Sequence, residues 1–99
     1  MEQKSEGLKW FNLNIKPYLD SKYELKFVNE QGGDLGDLSG VQFDSEKQGG
    51  YIYFWSLGFV GYQLFDYVNE IELVEDTTTE VGSRSYNEIL SKLLLKLKK

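Results

Sequence analysis

"GGYIYFWSLGFVGYQLFDY", residues 49–67, gathers eight of the chain's fifteen aromatic side chains into one short run. From Tyr51 onward, Tyr51, Tyr53 and Trp55 project to one side of an extended chain while Ile52 and Phe54 project to the other, the period-2 signature of a strand. Both sides are apolar, which predicts a central strand covered on both faces or partly so. Ser56, Leu57 and Gly58 then predict a short hairpin connection, with Gly58 free to take the positive φ that such a loop requires. "FVGYQLFDY" returns as the partner strand, where Gly61 marks a bulge or a close backbone approach.

Working outward, "NEIELVED" (69–76) predicts a further strand with Ile71 and Leu73 inward and Glu70 and Glu72 outward. "TTTEVG" reads as a polar connection. On the other side, "YELKFVN" (23–29) alternates as a half-buried antiparallel strand, with Tyr23, Leu25 and Phe27 on one face and Glu24 and Lys26 on the other. "EQGGDLGDLSG" (30–40), rich in glycine and without periodicity, predicts a loop. "VQFD" (41–44) supplies a short strand, and "SEKQGG" turns the chain.

Helices close both ends. Leu8, Phe11, Ile15 and Leu19 form the stripe of an amphipathic helix between Ser5 and Asp20, kinked near Pro17, which lacks an N–H and biases Lys16 away from helical angles. Ser85 and Glu88 form a capping box. After it, Tyr86, Ile89, Leu90, Leu93, Leu94 and Leu97 recur at helical spacing, with Lys92, Lys96, Lys98 and Lys99 toward the C-terminal end. A basic amphipathic helix can also lie on an anionic membrane, but a sheet needs a cover and this helix is the best one in the chain. The expected fold class is α+β: an antiparallel β-sheet of three to five strands with an N-terminal helix and a C-terminal amphipathic helix, in a single domain over residues 1–99.

Composition narrows the chemistry. The chain has neither cysteine nor histidine, so disulfides, thiolates and the commonest general base and metal ligand are missing. No apolar run approaches the ~20 residues needed to cross a bilayer, and "MEQKSEGLKW" shows no secretory signal; a cytoplasmic protein is expected. Carboxylates are plentiful, yet nothing selects a pair for acid–base work, so no catalytic residue is assigned and the expectation is a protein that is not an enzyme. "GGDLGDLSG" resembles one nonapeptide calcium repeat with its third glycine a residue late, and a single copy cannot build the stacked roll such repeats need. No metal and no cofactor is expected.

Charge is unevenly spread. Net charge is −5. Residues 28–80 carry Glu30, Asp34, Asp37, Asp44, Glu46, Asp66, Glu70, Glu72, Glu75, Asp76 and Glu80 against Lys47 alone, while both ends are net basic. An aromatic sheet can stack bases, but single-strand binders add Lys and Arg for the phosphates. The stretch 49–67 contains no base. Nucleic acid would be repelled, and the expectation is that these rings fill the core and its rim. A one-signed field of this kind attracts basic partners, though acids also solubilise an aromatic sheet.

"GGYIYFWSLGFVGYQLFDYVNEIEL" (49–73) resembles bacterial immunity proteins of polymorphic and contact-dependent growth-inhibition toxin systems. The likeness lies in the glycine pair, the strand ending "FWS", the glycine turn and the "FDY" strand. It covers about a quarter of the chain. The resemblance implies a small cytoplasmic protein that binds one cognate basic toxin domain, often a nuclease, and blocks it. With the charge map, it makes Asp34, Asp37, Asp44, Glu46, Glu70, Glu72, Glu75 and Asp76 the candidate partner-binding residues. The alternative reading is a structural or adaptor module, or a homodimer, that pairs through its sheet.

Overall fold

The aromatic run is a hairpin at the middle of a five-stranded sheet. In the computed structural model, which describes residues 6–97, the order is α1 (Glu6–Asn14), α2 (Lys16–Leu19), β1 (Glu24–Gly33), β2 (Gly36–Asp44), β3 (Gln48–Trp55), β4 (Phe59–Asp66), β5 (Ile71–Glu80), α3 (Tyr86–Ile89) and α4 (Ser91–Leu97). The strands pair as an antiparallel meander, β1-β2-β3-β4-β5. The architecture is α+β, and no helix among the described residues is long and apolar enough to cross a membrane.

All the helices lie against one face of the sheet. Val41, Phe43, Ile52, Phe54, Val60, Leu64 and Val74 point from the strands into a single core that Phe11, Ile15 and Leu19 close from one side. Ile89, Leu90, Leu93 and Leu97 close it from the other. The two helical ends meet: the Trp10 indole N–H donates to Asn87 Oδ1 at 3.1 Å, and its ring lies 5.6 Å from that of Tyr86. The N-terminal helix is interrupted at Ile15, whose φ of −115° departs from helical values, and Pro17 sits in the first turn of α2, where a missing N–H leaves no bond unmade. The expected start at Ser5, with Lys98 and Lys99, lies outside the described residues. Ser85 accepts from the Glu88 N–H and Glu88 bonds back to the Ser85 N–H, completing the capping box. The C-terminal helix is then divided at Leu90, where ψ is 16°.

Three stretches differ from the sequence reading. Residues 30–40 are not a loop: β1 continues to Gly33, β2 begins at Gly36, and only Asp34 and Leu35 make the turn. An edge strand with exposed faces needs no apolar alternation, so the pattern that marks strands was missing there. "TTTE" is likewise strand, the second half of β5. Within β5 the register slips against Tyr62–Leu64 and again at Phe65, and these bulges break the alternation. Val74 is buried and Leu73 packs partly against the core, while Ile71 at the start of the strand is half exposed and Glu70 falls in the turn with φ 58°. Gly58 does take a positive φ, 95°.

The two leucines of α4 separate the packed from the unpacked face. Leu93→Ala is expected to lower stability by about 2–5 kcal/mol, because Leu93 is fully buried, whereas Leu95→Ala should change it by roughly 0.5 kcal/mol or less, since Leu95 is 64% exposed. Urea unfolding of the two variants checks this, and equal losses would contradict the placement of the helix.

Candidate functional site

The face of the sheet turned away from the helices is built in transverse rungs, set by strand register. The first reads Glu24, Asp44, Gly49, Phe65, Glu72 across β1 to β5. The next reads Lys26, Gln42, Tyr51, Gln63 and then reaches the bulged part of β5. Val28, Gly40, Tyr53, Gly61, Thr78 form the third, and Glu30, Leu38, Trp55, Phe59, Glu80 the fourth. Aromatic rings therefore occupy β3 and β4, and carboxylates stand at both margins. Among these rung residues Lys26 is the base.

The rings lie low against the sheet, and glycine makes that possible. A Cβ on Gly40 would strike the Tyr53 ring, and one on Gly61 would come within 2.9 Å of Trp55 Cζ3. Gly61 thus marks a close approach by a side chain, with the bulge one strand pair further on. Tyr51 and Tyr53 stack at 4.4 Å, and Trp55 meets Tyr53 edge-on at 5.8 Å. The expectation that the aromatic run fills the core and its rim is thus half right. Ile52, Phe54, Val60 and Leu64 are buried under the helices, while Tyr51, Tyr53, Trp55, Phe59 and Phe65 are half-buried on the open face.

Polar contacts hold this surface in place. Gln42 Nε2 donates to the Tyr53 hydroxyl at 2.7 Å, and Gln63 Nε2 donates to Glu72 Oε2 at 2.6 Å. The Tyr51 hydroxyl donates to Asp76 and the Tyr67 hydroxyl donates to Asp44. Burial, then the bond to Asp76 and that carboxylate's charge, push the Tyr51 phenol above its ordinary value. For Tyr67 the bond to Asp44 is the main cause of a similar rise. Tyr67 is itself positioned by Asp66, which accepts from Val68 N, Asn69 N and Asn69 Nδ2 at 2.9, 3.2 and 2.8 Å. These bonds, led by the Asn69 side chain, hold the Asp66 carboxyl below the usual carboxylate range.

The eight candidate carboxylates divide into groups. Asp44, Glu72 and Asp76 share the open face. Glu46 and Glu70 sit in the turns at the Asp44 end of the sheet, 45–47 and 67–70. Asp34 and Asp37 lie at the opposite end, where Asp37 accepts from Gly32 N at 3.1 Å and shapes the β1–β2 turn. Glu75 is exposed within the bulge of β5. Among the described residues the one ion pair is Lys16–Asp20 at 3.0 Å, so none of the eight is neutralised by a described lysine or arginine. Glu24, Glu30 and Glu80 belong to the same acidic margins and were missed; the signal for Glu24 and Glu30 was their shared parity with Lys26 on β1, and for Glu80 the Thr-rich continuation of β5.

A groove of about 690 Å³ opens on the first two rungs, lined among others by Glu24, Asp44, Gly49, Tyr51, Phe65 and Tyr67. No group of three or more His, Cys, Asp or Glu residues among the described residues is placed to hold a metal ion. Compared with protein-family models, with curated proteins and with solved structures, the chain shows no significant match.

The tyrosine–carboxylate pairs have a measurable consequence at high pH. Because the folded state raises the Tyr51 pKa above 10.0, its contribution is intact below pH 10.0 and is lost as pH rises through the folded value. Ultraviolet titration should show Asp76→Asn ionising Tyr51 at lower pH than the parent protein, with the late component missing in Tyr51→Phe. An unchanged titration in Asp76→Asn would disprove the pairing.

Proposed function

We propose that this chain is a non-enzymatic inhibitor, an immunity protein that binds and neutralises a cognate basic toxin domain of nuclease type. The observation that carries this reading is the open sheet face: low-lying rings between two rows of carboxylates that no described lysine or arginine pairs. A nuclease domain presents a cationic surface to its phosphate substrate, and an acidic face can occupy that surface in the substrate's place. Opposite charge speeds encounter, while aromatic anchors that lose water on docking slow dissociation. The residues that resemble immunity proteins, 49–73, are those of β3, β4 and the start of β5, so the likeness and the aromatic floor fall on the same strands. A cytoplasmic location follows from this reading.

Reversal of the open-face carboxylates, Asp44→Lys with Glu72→Lys and Asp76→Lys, is expected to slow association with the cognate toxin domain by about 10–1,000-fold. Circular dichroism should stay unchanged, and Asp34→Lys, at the far end of the sheet, should slow association much less. Stopped-flow rates that do not move in the triple variant would refute the assignment, as would failure of the parent protein to protect cells that express the toxin.

The second reading, a homodimer paired through the sheet, is favoured by one feature: β1 is an edge strand in unbroken register with β2 from Glu24 to Glu30. Its test is light scattering across concentration. A mass that stays monomeric up to the highest concentration would dismiss it.

A further inference from the structure

We propose that the groove beside Gly49, between Glu24, Tyr51 and Phe65, receives an arginine side chain of the basic partner, a proposal that rests on the open face being the docking surface. Along β3 the open face reads Gly49, Tyr51, Tyr53, Trp55, so a ring covers every rung but the first. There no side chain rises from β3, the Tyr67 hydroxyl and Asp44 take the space over Gly49, and the recess opens beside that pair, toward Glu24, Tyr51 and Phe65. Phe65 stands beside Gly49 in the same rung, and Tyr67 lies 6.0 Å from Phe65 at a 46° tilt, so two ring faces wall one side. Tyr51 closes the next rung. Aromatic faces attract a cation within about 6 Å of the ring centroid.

Charge selects the sign of the occupant. The groove is lined by the carboxylates of Glu24 and Asp44 and by the one base Lys26, with Glu72 further along the first rung. Asp44 bonds to the Tyr67 hydroxyl, and the pair arches over Gly49, where any Cβ would collide with both. Tyr67 is in turn fixed by the Asp66 turn. The site is therefore assembled before a ligand arrives, which lowers the ordering cost of binding. A guanidinium suits it better than an ammonium, because it is planar, stacks on rings, is weakly hydrated and bonds carboxylates with a fork of donors.

The surroundings favour an arginine carried by a protein over a free amine. Tyr67, Val68 and Ile71 are 42%, 68% and 50% exposed at the same end of the sheet, an apolar tip beside the groove. A partner segment that places its arginine in the recess can cover that tip with its flanks, the pattern of a central anchor with apolar contact around it.

The test uses the whole protein and two short peptides, acetyl-Gly-Arg-Gly-amide and its citrulline counterpart, which has the same shape without the charge. Amide resonances of Gly49 and Gly50 should shift saturably with the arginine peptide and not with the citrulline peptide. Asp44→Asn should weaken that response roughly tenfold while thermal unfolding shows the variant folded, and Leu57→Ala, at the opposite end, should leave it unchanged. A response that is absent, equal for citrulline, or indifferent to Asp44→Asn overturns the proposal. If the protein still neutralises the toxin under that outcome, the groove assignment falls and the inhibitor reading stands. If the arginine response is seen but no toxin is bound, the groove is a cation site and the inhibitor reading falls alone.

Discussion

The central strand has two apolar faces, and the chain has helices for one of them. β3 alternates Tyr51, Tyr53, Trp55 with Ile52, Phe54, and the strand geometry sends these sets to opposite sides with no freedom to choose. The first and last helices both pack on the Ile52 and Phe54 side, where Phe11, Ile15, Leu90 and Leu93 are all fully buried. Every described helix is thereby used. The remaining rings lie on a surface without a helical cover, and the residues around them are what make that surface tolerable in water: glycines that let the rings lie flat, glutamines and carboxylates that occupy their hydroxyls, and acids along both margins.

This arrangement also explains why one stretch of sequence can look like core and like interface at once. Composition cannot separate the two, since a buried phenylalanine and a half-buried tyrosine both count as aromatic. Position in the rung separates them. Leu38, buried but outside the main core, belongs to the open face beside Trp55. The acidic margins matter for the same reason. Contiguous apolar surface invites unspecific association, and a fringe of like charges restricts it to partners of opposite sign.

Sequence reading recovered the elements whose patterns are self-contained. The capping box at Ser85, the leucine stripe after it, the Phe11–Ile15–Leu19 stripe and the β3–β4 hairpin were all legible, because each is encoded in local spacing. The extent of β1 and β2 across residues 30–40 was not, because glycine and aspartate in an edge hairpin carry no alternation. In β5 the strand over 69–76 was legible, but neither its continuation to Glu80 nor its bulges at Leu73–Val74 and Glu75–Asp76 were: Leu73 packs partly against the core as alternation gives, Val74 is buried beside it, and Ile71 is half exposed. For the surface, charge asymmetry pointed to the middle of the chain, but only register shows that Asp44 and Glu72 share a rung while Asp34 lies at the other end. Glu24 belongs to that rung from a segment that is net basic in sequence.

The bulges in β5 have one more effect, on the margins of the sheet as templates. An added strand needs a run of evenly spaced N–H and C=O groups; β5 interrupts that run twice, and β1 keeps it from Glu24 to Glu30. Endless stacking of sheets requires two receptive margins per molecule, so that each newcomer offers a fresh one. A pair joined through β1 would use that margin on both molecules and leave β5 at each end, regular only from Thr77 to Glu80. The same slips in register that break the alternation of β5 make its outer margin a poor template for an added strand.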